Sequence, residues 1–299
     1  MPRPSVSPWW SPRSTTRRST TSVGTEASVG TDGLRALGSV ALIAAVLLSG
    51  CQYESPSAPS PQSSPSSTAT TTGISLPDGR TAQLRGLGGE RSAPMIDRIA
   101  AELPGAAAAV TGFWGPDWPR EIVVVVTESD EQFRVLAHGS PDIAAATTAD
   151  GMVFAPGASG MSDDALRIVV RHELFHYAAR PHTVADAPLW VTEGVADYVS
   201  RPADGWPARE QAEELAQLPT DADLQTEGAG RSLAYDRAWW FSRFVAERYK
   251  QETLRALYVR ACGPGHPDPP TAVRETLHED LDAVLAQWRQ WMTDRVVSR

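Results

Sequence analysis

Lysine is almost missing from this sequence: Lys250 is the only one among 27 basic residues, which face 36 acidic ones. With a net charge of −9 and no concentrated cationic stretch, the chain has nothing with which to hold a phosphate backbone. A nucleic-acid partner is therefore excluded. Cysteine is equally scarce. Two of them, Cys51 and Cys262, cannot staple a small secreted scaffold, which carries its bridges in pairs. Cys262 is read as a small buried side chain. The six histidines are scattered, which argues against a metal-storage tract. No apolar run reaches the about 20 residues that a bilayer span needs. No internal repeat is present. What remains is 299 residues, 41% of them hydrophobic, enough for one or two domains with a real core.

The first fifty residues read as an address. The apolar run Ala36 to Leu48, with Arg35 just before it, fits the h-region of a signal peptide. It ends in Leu48-Ser49-Gly50-Cys51, which resembles the bacterial lipobox, in which the cysteine is diacylated and becomes the first mature residue. That resemblance implies a lipid anchor at Cys51 on the extracytoplasmic face of the cell membrane. An ordinary signal peptide, or a short core helix before a cysteine, is the plainer alternative. The stretch before Leu34 is long for a signal and carries Glu26 and Asp32, which a true start at Val23 or Val29 would explain. Gln52 to Thr72 is Ser, Pro, Thr and Ala with almost nothing to bury, so residues 51–73 are expected to be an extended spacer. Residues 74–299 are expected to form one domain.

Within that domain the expected elements are strands first and helices later, an α+β arrangement. Met95 to Leu103 has helical periodicity and is expected to stop at Pro104-Gly105. Glu121 to Val126 is the best strand, being almost pure valine and isoleucine. Ile143 to Thr148 and Met152 to Ala155 flank Asp150-Gly151 and read as a hairpin. After Gly160 helices are expected over 163–179, 191–200, 208–216, 234–250, 252–261 and 281–297.

The first long helix contains His172-Glu173-Leu174-Phe175-His176, an H-E-x-x-H motif. Residues four apart share a helical face, so both imidazoles can reach one metal ion, while Glu173 can meet a water on that ion. Two solvated surface histidines are the bland alternative, and the apolar neighbours Val169, Val170, Leu174 and Phe175 speak against it. Asp163 and Asp164 suit the positive end of the helix dipole, with Ser162 as its cap. A third protein ligand has two candidates. His182 would complete a pattern similar to the metzincins, but Ala179 stands where their turn glycine belongs and no methionine lies between Met161 and Met292. Glu193, seventeen residues after His176, starts a second helix in Pro188-Leu189-Trp190-Val191-Thr192-Glu193-Gly194-Val195-Ala196-Asp197-Tyr198. Glu193 is preferred. Asp197, four residues on, shares its face and can take the free N–H of a ligand histidine.

HELFH, PLWVTEGVADY and, more loosely, Tyr235 to Tyr249 and the closing helix make the chain similar to the gluzincins of the peptidase MA-like branch. The resemblance implies a zincin-like fold: a small N-terminal mixed sheet with the active-site helix, then a mainly helical part. It implies a single Zn2+ on His172, His176 and Glu193, with Glu173 as general base in a hydrolase that cleaves peptide or protein substrates. It would put the Met152–Ala155 strand at the sheet edge. Tyr235 resembles the tyrosine that stabilises the oxyanion in related aminopeptidases; His182 is the other candidate for that role, and a core aromatic is the bland reading of Tyr235. No Gly-Ala-Met-Glu-Asn-like motif is present, which argues against N-terminal trimming. The rival function is a lipoprotein that binds a partner or a metal on the same scaffold without hydrolysis.

Overall fold

The computed structural model describes residues 5–6, 69–138, 143–203 and 205–297. The expected signal peptide, the lipobox around Cys51 and the spacer up to residue 68 lie outside them, apart from Ser5 and Val6. Among the described residues no helix is long and apolar enough to cross a membrane.

Among the described residues six strands form one mixed sheet: β1 (Ser5–Val6), β2 (Thr70–Ser75), β3 (Thr81–Gly86), β4 (Glu121–Val126), β5 (Ala145–Thr147) and β6 (Met152–Phe154). Their order is β1-β5-β6-β4-β3-β2; β4 pairs in parallel with β3 and β6, and the other pairs are antiparallel. The described residues also form ten helices, which follow or interleave: α1 (Ala93–Trp114), α2 (Asp130–Ala137), α3 (Asp163–Ala179), α4 (Leu189–Ser200), α5 (Arg209–Leu215), α6 (Asp221–Leu224), α7 (Gly228–Tyr249), α8 (Gln251–Cys262), α9 (Pro269–Leu277) and α10 (Leu281–Val297). The α+β expectation is met, with the sheet in the N-terminal half and helices beyond it.

Strand alternation decides what each face of the sheet covers. Ile122, Val124 and Val126 point into the main core with Met152 and Phe154, under α1 and α3. Val125, Ala146, Val153 and Ala155 point the other way, onto Phe133 and Ala137 of α2. Because β6 is buried on both faces it lies inside the sheet. The expectation of Met152–Ala155 as an edge is corrected: β5 lies beyond it, and the outer side of β5 pairs with Ser5 and Val6 of β1. The hairpin itself is as expected, closed by Thr148 N–H to the Gly151 carbonyl at 2.9 Å. Gly151 has φ +147°, and a Cβ there would sit 2.6 Å from the Val123 carbonyl oxygen, so the position requires glycine.

Two further expectations change. Strand β2 begins at Thr70, so the last residues assigned to the 51–73 spacer belong to the sheet. Helix α1 does not stop at Pro104; it continues to Trp114. An interior proline costs about 3 kcal/mol. Ala106, Ala107, Val110, Phe113 and Trp114 beyond it are all buried, and their burial at roughly 25 cal/mol per Å2 outweighs that cost. Phe113 and Trp114 then meet Phe175 of α3 and Tyr258 of α8 in edge-to-face contacts of 5.4–5.9 Å. This cluster holds α3 through Phe175, whose ring also lies edge-on to that of His176 at 6.0 Å. Cys262, as expected, is a buried free thiol.

Candidate metal centre

Helix α3 is fixed at both ends before any chemistry is considered. Ser162 Oγ accepts from the Ala165 N–H at 3.2 Å, and Asp163 and Asp164 occupy the first turn. Arg98 of α1 donates to the Met161 carbonyl at 2.6 Å and to Asp163 at 2.9 Å. At the other end Arg180 donates to the carbonyls of Thr148 and Ala149 in the β5–β6 turn and stacks on Tyr177, whose hydroxyl donates to the Glu121 carbonyl at 2.6 Å. The helix is thereby tied to β4 and β5.

His172, Glu173 and His176 are all buried on this helix, and Glu193 and Asp197 are buried on α4, which packs against it. Three donor atoms converge. His172 Nε2 lies 3.0 Å from His176 Nε2 and 3.2 Å from Glu193 Oε2, and His176 Nε2 lies 3.4 Å from the same oxygen. Two imidazole nitrogens and one carboxylate oxygen form a borderline donor set, which suits zinc. Bonds of about 2.0–2.1 Å in a tetrahedron put neighbouring ligand atoms roughly 3.3 Å apart. The observed triangle has those edges, so the residues fit the ion. Among the described residues this is the group of three that could hold a metal.

The surroundings support the same reading. Asp197 Oδ1 accepts from His172 Nδ1 at 2.9 Å, which leaves Nε2 to face the centre. Glu173 Oε2 accepts from the Thr147 hydroxyl at 2.8 Å, while its Oε1 is buried without a hydrogen-bond partner. A buried carboxylate oxygen without a partner is costly unless something polar comes to meet it. Tyr235 of α7 is buried with its ring 6.4 Å from that of His172.

Burial opposes a charge on His172, but the hydrogen bonds and charges of Asp197 and Glu193 outweigh it and raise its pKa to about 10. Burial alone would raise Glu193; the imidazoles of His176 and His172 instead pull it down to about 2. Glu173 is raised, chiefly by burial and against the pull of both histidines. Burial and the Glu193 carboxylate push Tyr235 well above its usual range, so it stays a hydroxyl donor. A cation would replace the proton that His172 otherwise keeps between the two acids.

His182 is not brought to this centre. It sits exposed in the short 3-10 turn after α3 with its ring 5.4 Å from that of Trp114. Sequence reasoning missed Thr147 and Arg201. The Arg201 guanidinium reaches Asp197 Oδ2 at 2.5 Å, and the i, i+4 spacing that linked Glu193 to Asp197 links Asp197 to Arg201 as well. Thr147 lies 26 residues from Glu173 and gave no local signal.

No protein-family profile and no curated protein matches the sequence. Among solved structures the chain is similar to an aminopeptidase A from Legionella pneumophila in complex with aspartic acid. That match has a TM-score of 0.49 and 15% identity and covers 74% of this chain and 28% of that one. An M1 zinc metallopeptidase variant from Deinococcus radiodurans gives 0.45 and 15%, covering 74% and 51%. A two-domain M1 zinc metallopeptidase variant with L-arginine bound gives 0.44 and 14%, covering 76% and 51%. The chain thus spans about a quarter to a half of the length of those structures.

Proposed function

We propose that this chain is a zinc-dependent peptidase of the gluzincin type, held on the extracytoplasmic face of a bacterial membrane by a lipid on Cys51. The observation that carries the catalytic reading is the donor triangle of His172, His176 and Glu193 with the unpartnered Glu173 Oε1 beside it. Zinc, when bound, supplies a Lewis acid that lowers the pKa of a water to about 7 and polarises a carbonyl.

The chain's own groups then have distinct tasks. Glu173 takes the proton of the attacking water at Oε1 and later hands it to the leaving amine. Thr147 holds the other carboxylate oxygen, so the proton-carrying one keeps its direction. Tyr235 donates its hydroxyl to the oxygen that gains negative charge. The buried setting strengthens each of these interactions by excluding water. A protein that merely held the metal would have no use for a buried glutamate oxygen left unpartnered on the helix that carries both histidines, which weighs against the partner-binding alternative.

The test is cleavage of a complex peptide library by the zinc-loaded domain, residues 69–299, beside its Glu173→Gln variant with zinc content recorded. Cleavage by the wild type alone at matched zinc supports the reading. Zinc in neither protein would remove its basis, and zinc in both without cleavage would favour the non-catalytic role. Membrane attachment is tested separately, by labelling cells with a fatty-acid probe and comparing the chain with Cys51→Ala.

A further inference from the structure

The carboxylate that steers His172 is itself steered. Asp197 is fully buried and gives one oxygen to the His172 imidazole at 2.9 Å; the other accepts from Arg201 at 2.5 Å. Arg201 is the residue just past α4. Its own N–H donates to the Asp197 carbonyl at 2.9 Å, so main chain and side chain return to the same residue. A cation also suits this end of a helix dipole. The guanidinium bonds Asp236 of α7 at 2.8 Å and lies 5.1 Å from the ring centroid of Trp239, three residues further along that helix. Its side chain is only 5% exposed.

We infer that Arg201 is a positioning residue for the metal centre, acting through Asp197 on His172. The inference rests on the metal reading above. Charge and geometry both carry it. Three buried carboxylates, Glu173, Glu193 and Asp197, crowd two imidazoles. A dication offsets two negative charges, and the guanidinium stands against the third. Arg201 also forks between two acids on different helices, which a point-charge ammonium does less well. It therefore sets the Asp197 plane, and with it the His172 ring, relative to α7, which carries Tyr235. Without it Asp197 keeps its bond to His172 but loses a charged partner that helps fix its rotation.

The test is zinc affinity of the full-length chain, by chelator competition, for the wild type, Arg201→Met and Arg201→Lys. Outer-shell partners of metal ligands typically change affinity by about 10–100-fold. Arg201→Met is expected to weaken zinc by about that factor, and Arg201→Lys to recover part of it. The visible spectrum of the cobalt-substituted protein should shift in Arg201→Met, a change that loss of stability alone does not produce. If Arg201→Met does not fold, the lysine variant decides, since it keeps the charge and loses the fork. Affinity within twofold of wild type in whichever variant folds, with an unchanged cobalt spectrum, overturns the inference while leaving the metal site intact. Absence of zinc from the wild type overturns both.

Discussion

Replacing Gly194 with alanine sets two effects of opposite sign against each other. In an unconstrained helix interior the change stabilises by up to about 1 kcal/mol, because glycine is the poorer helix former. Here a Cβ would lie 2.6 Å from the Ala238 carbonyl oxygen, 2.9 Å from its carbon and 2.8 Å from Ser242 Oγ. Ordinary contact is at about 3.5 Å, so α4 and α7 have to part by roughly half an ångström or more. Overpacking of this kind costs about 1–3 kcal/mol, and most of the obstruction is backbone, which cannot rotate away. Set against the helix gain, the net cost is up to about 3 kcal/mol; for a domain of this size each kcal/mol moves Tm by about 2–4 °C, so a fall of up to about 12 °C is expected. The helices that part are those holding Glu193 and Tyr235, so turnover should fall further than stability does, since a misplacement near 1 Å can cost about 100-fold. Calorimetry of the zinc-loaded protein and cleavage of a peptide substrate check the two halves. A Gly194→Ala protein that melts at or above the wild type would refute the claim that close helix approach builds this centre.

The remaining expectations are simpler. Glu173→Gln should retain zinc and lose about 100- to 10,000-fold in turnover, measured by metal analysis and peptide cleavage together. His172→Ala, His176→Ala and Glu193→Ala should each lose the metal on dialysis, whereas Tyr235→Phe should keep it and slow the reaction. Thr147→Val should leave zinc content unchanged and lower kcat rather than raise KM, because it removes a hydrogen bond to the base and not to the metal ligands. Zinc should raise Tm more at pH 8.5 than at pH 6.5. In the zinc-free protein His172 is raised from 6.5 to about 10, so the stability of its protonated form is full below 6.5 and fades as pH rises toward 10. Zinc competes with that same proton, so the gap between loaded and unloaded melting temperatures widens with pH; a gap that stays flat or narrows would contradict the assignment.

The elements that were legible in the sequence are those whose signals were local. Helix α3 announced itself by the Ser162 cap, the acids Asp163 and Asp164 and an apolar face, and it runs over the residues expected. Strand β4 and the Asp150-Gly151 hairpin were equally plain. Strands β2 and β3 were not. Thr70–Ser75 is threonine, glycine and serine with one isoleucine, and it is held by pairing with β3 rather than by its own preference. The run through Pro104 was hidden because the residues that stabilise it act only after Phe175 and Tyr258 have come together around Trp114. Helix α9 was not among the expected helices, although its start carries a local signal, Asp268 before Pro269-Pro270, with the Asp268 carboxylate accepting from Thr271 N–H at 3.1 Å. Glu193 and Asp197 were singled out by spacing and lie beside the histidines of α3, whereas His182, kept as the alternative ligand or oxyanion donor, lies away from them. The order of β5 and β6 rests on long-range pairing, which local periodicity does not encode.

The tie between Arg180 and the Thr148 and Ala149 carbonyls has a consequence for motion. It joins the tip of the β5–β6 hairpin to the end of α3, beside the Thr147 hydroxyl bond to Glu173, so opening of the strand and of the helix is coupled. Thr147, Glu173 and both imidazoles then belong to one cooperative unit, whose amides should exchange with solvent at a common slow rate set by near-global unfolding. Arg180→Ala would loosen the tip of that unit, letting the amides of the hairpin turn exchange ahead of the helix while the fold as a whole persists.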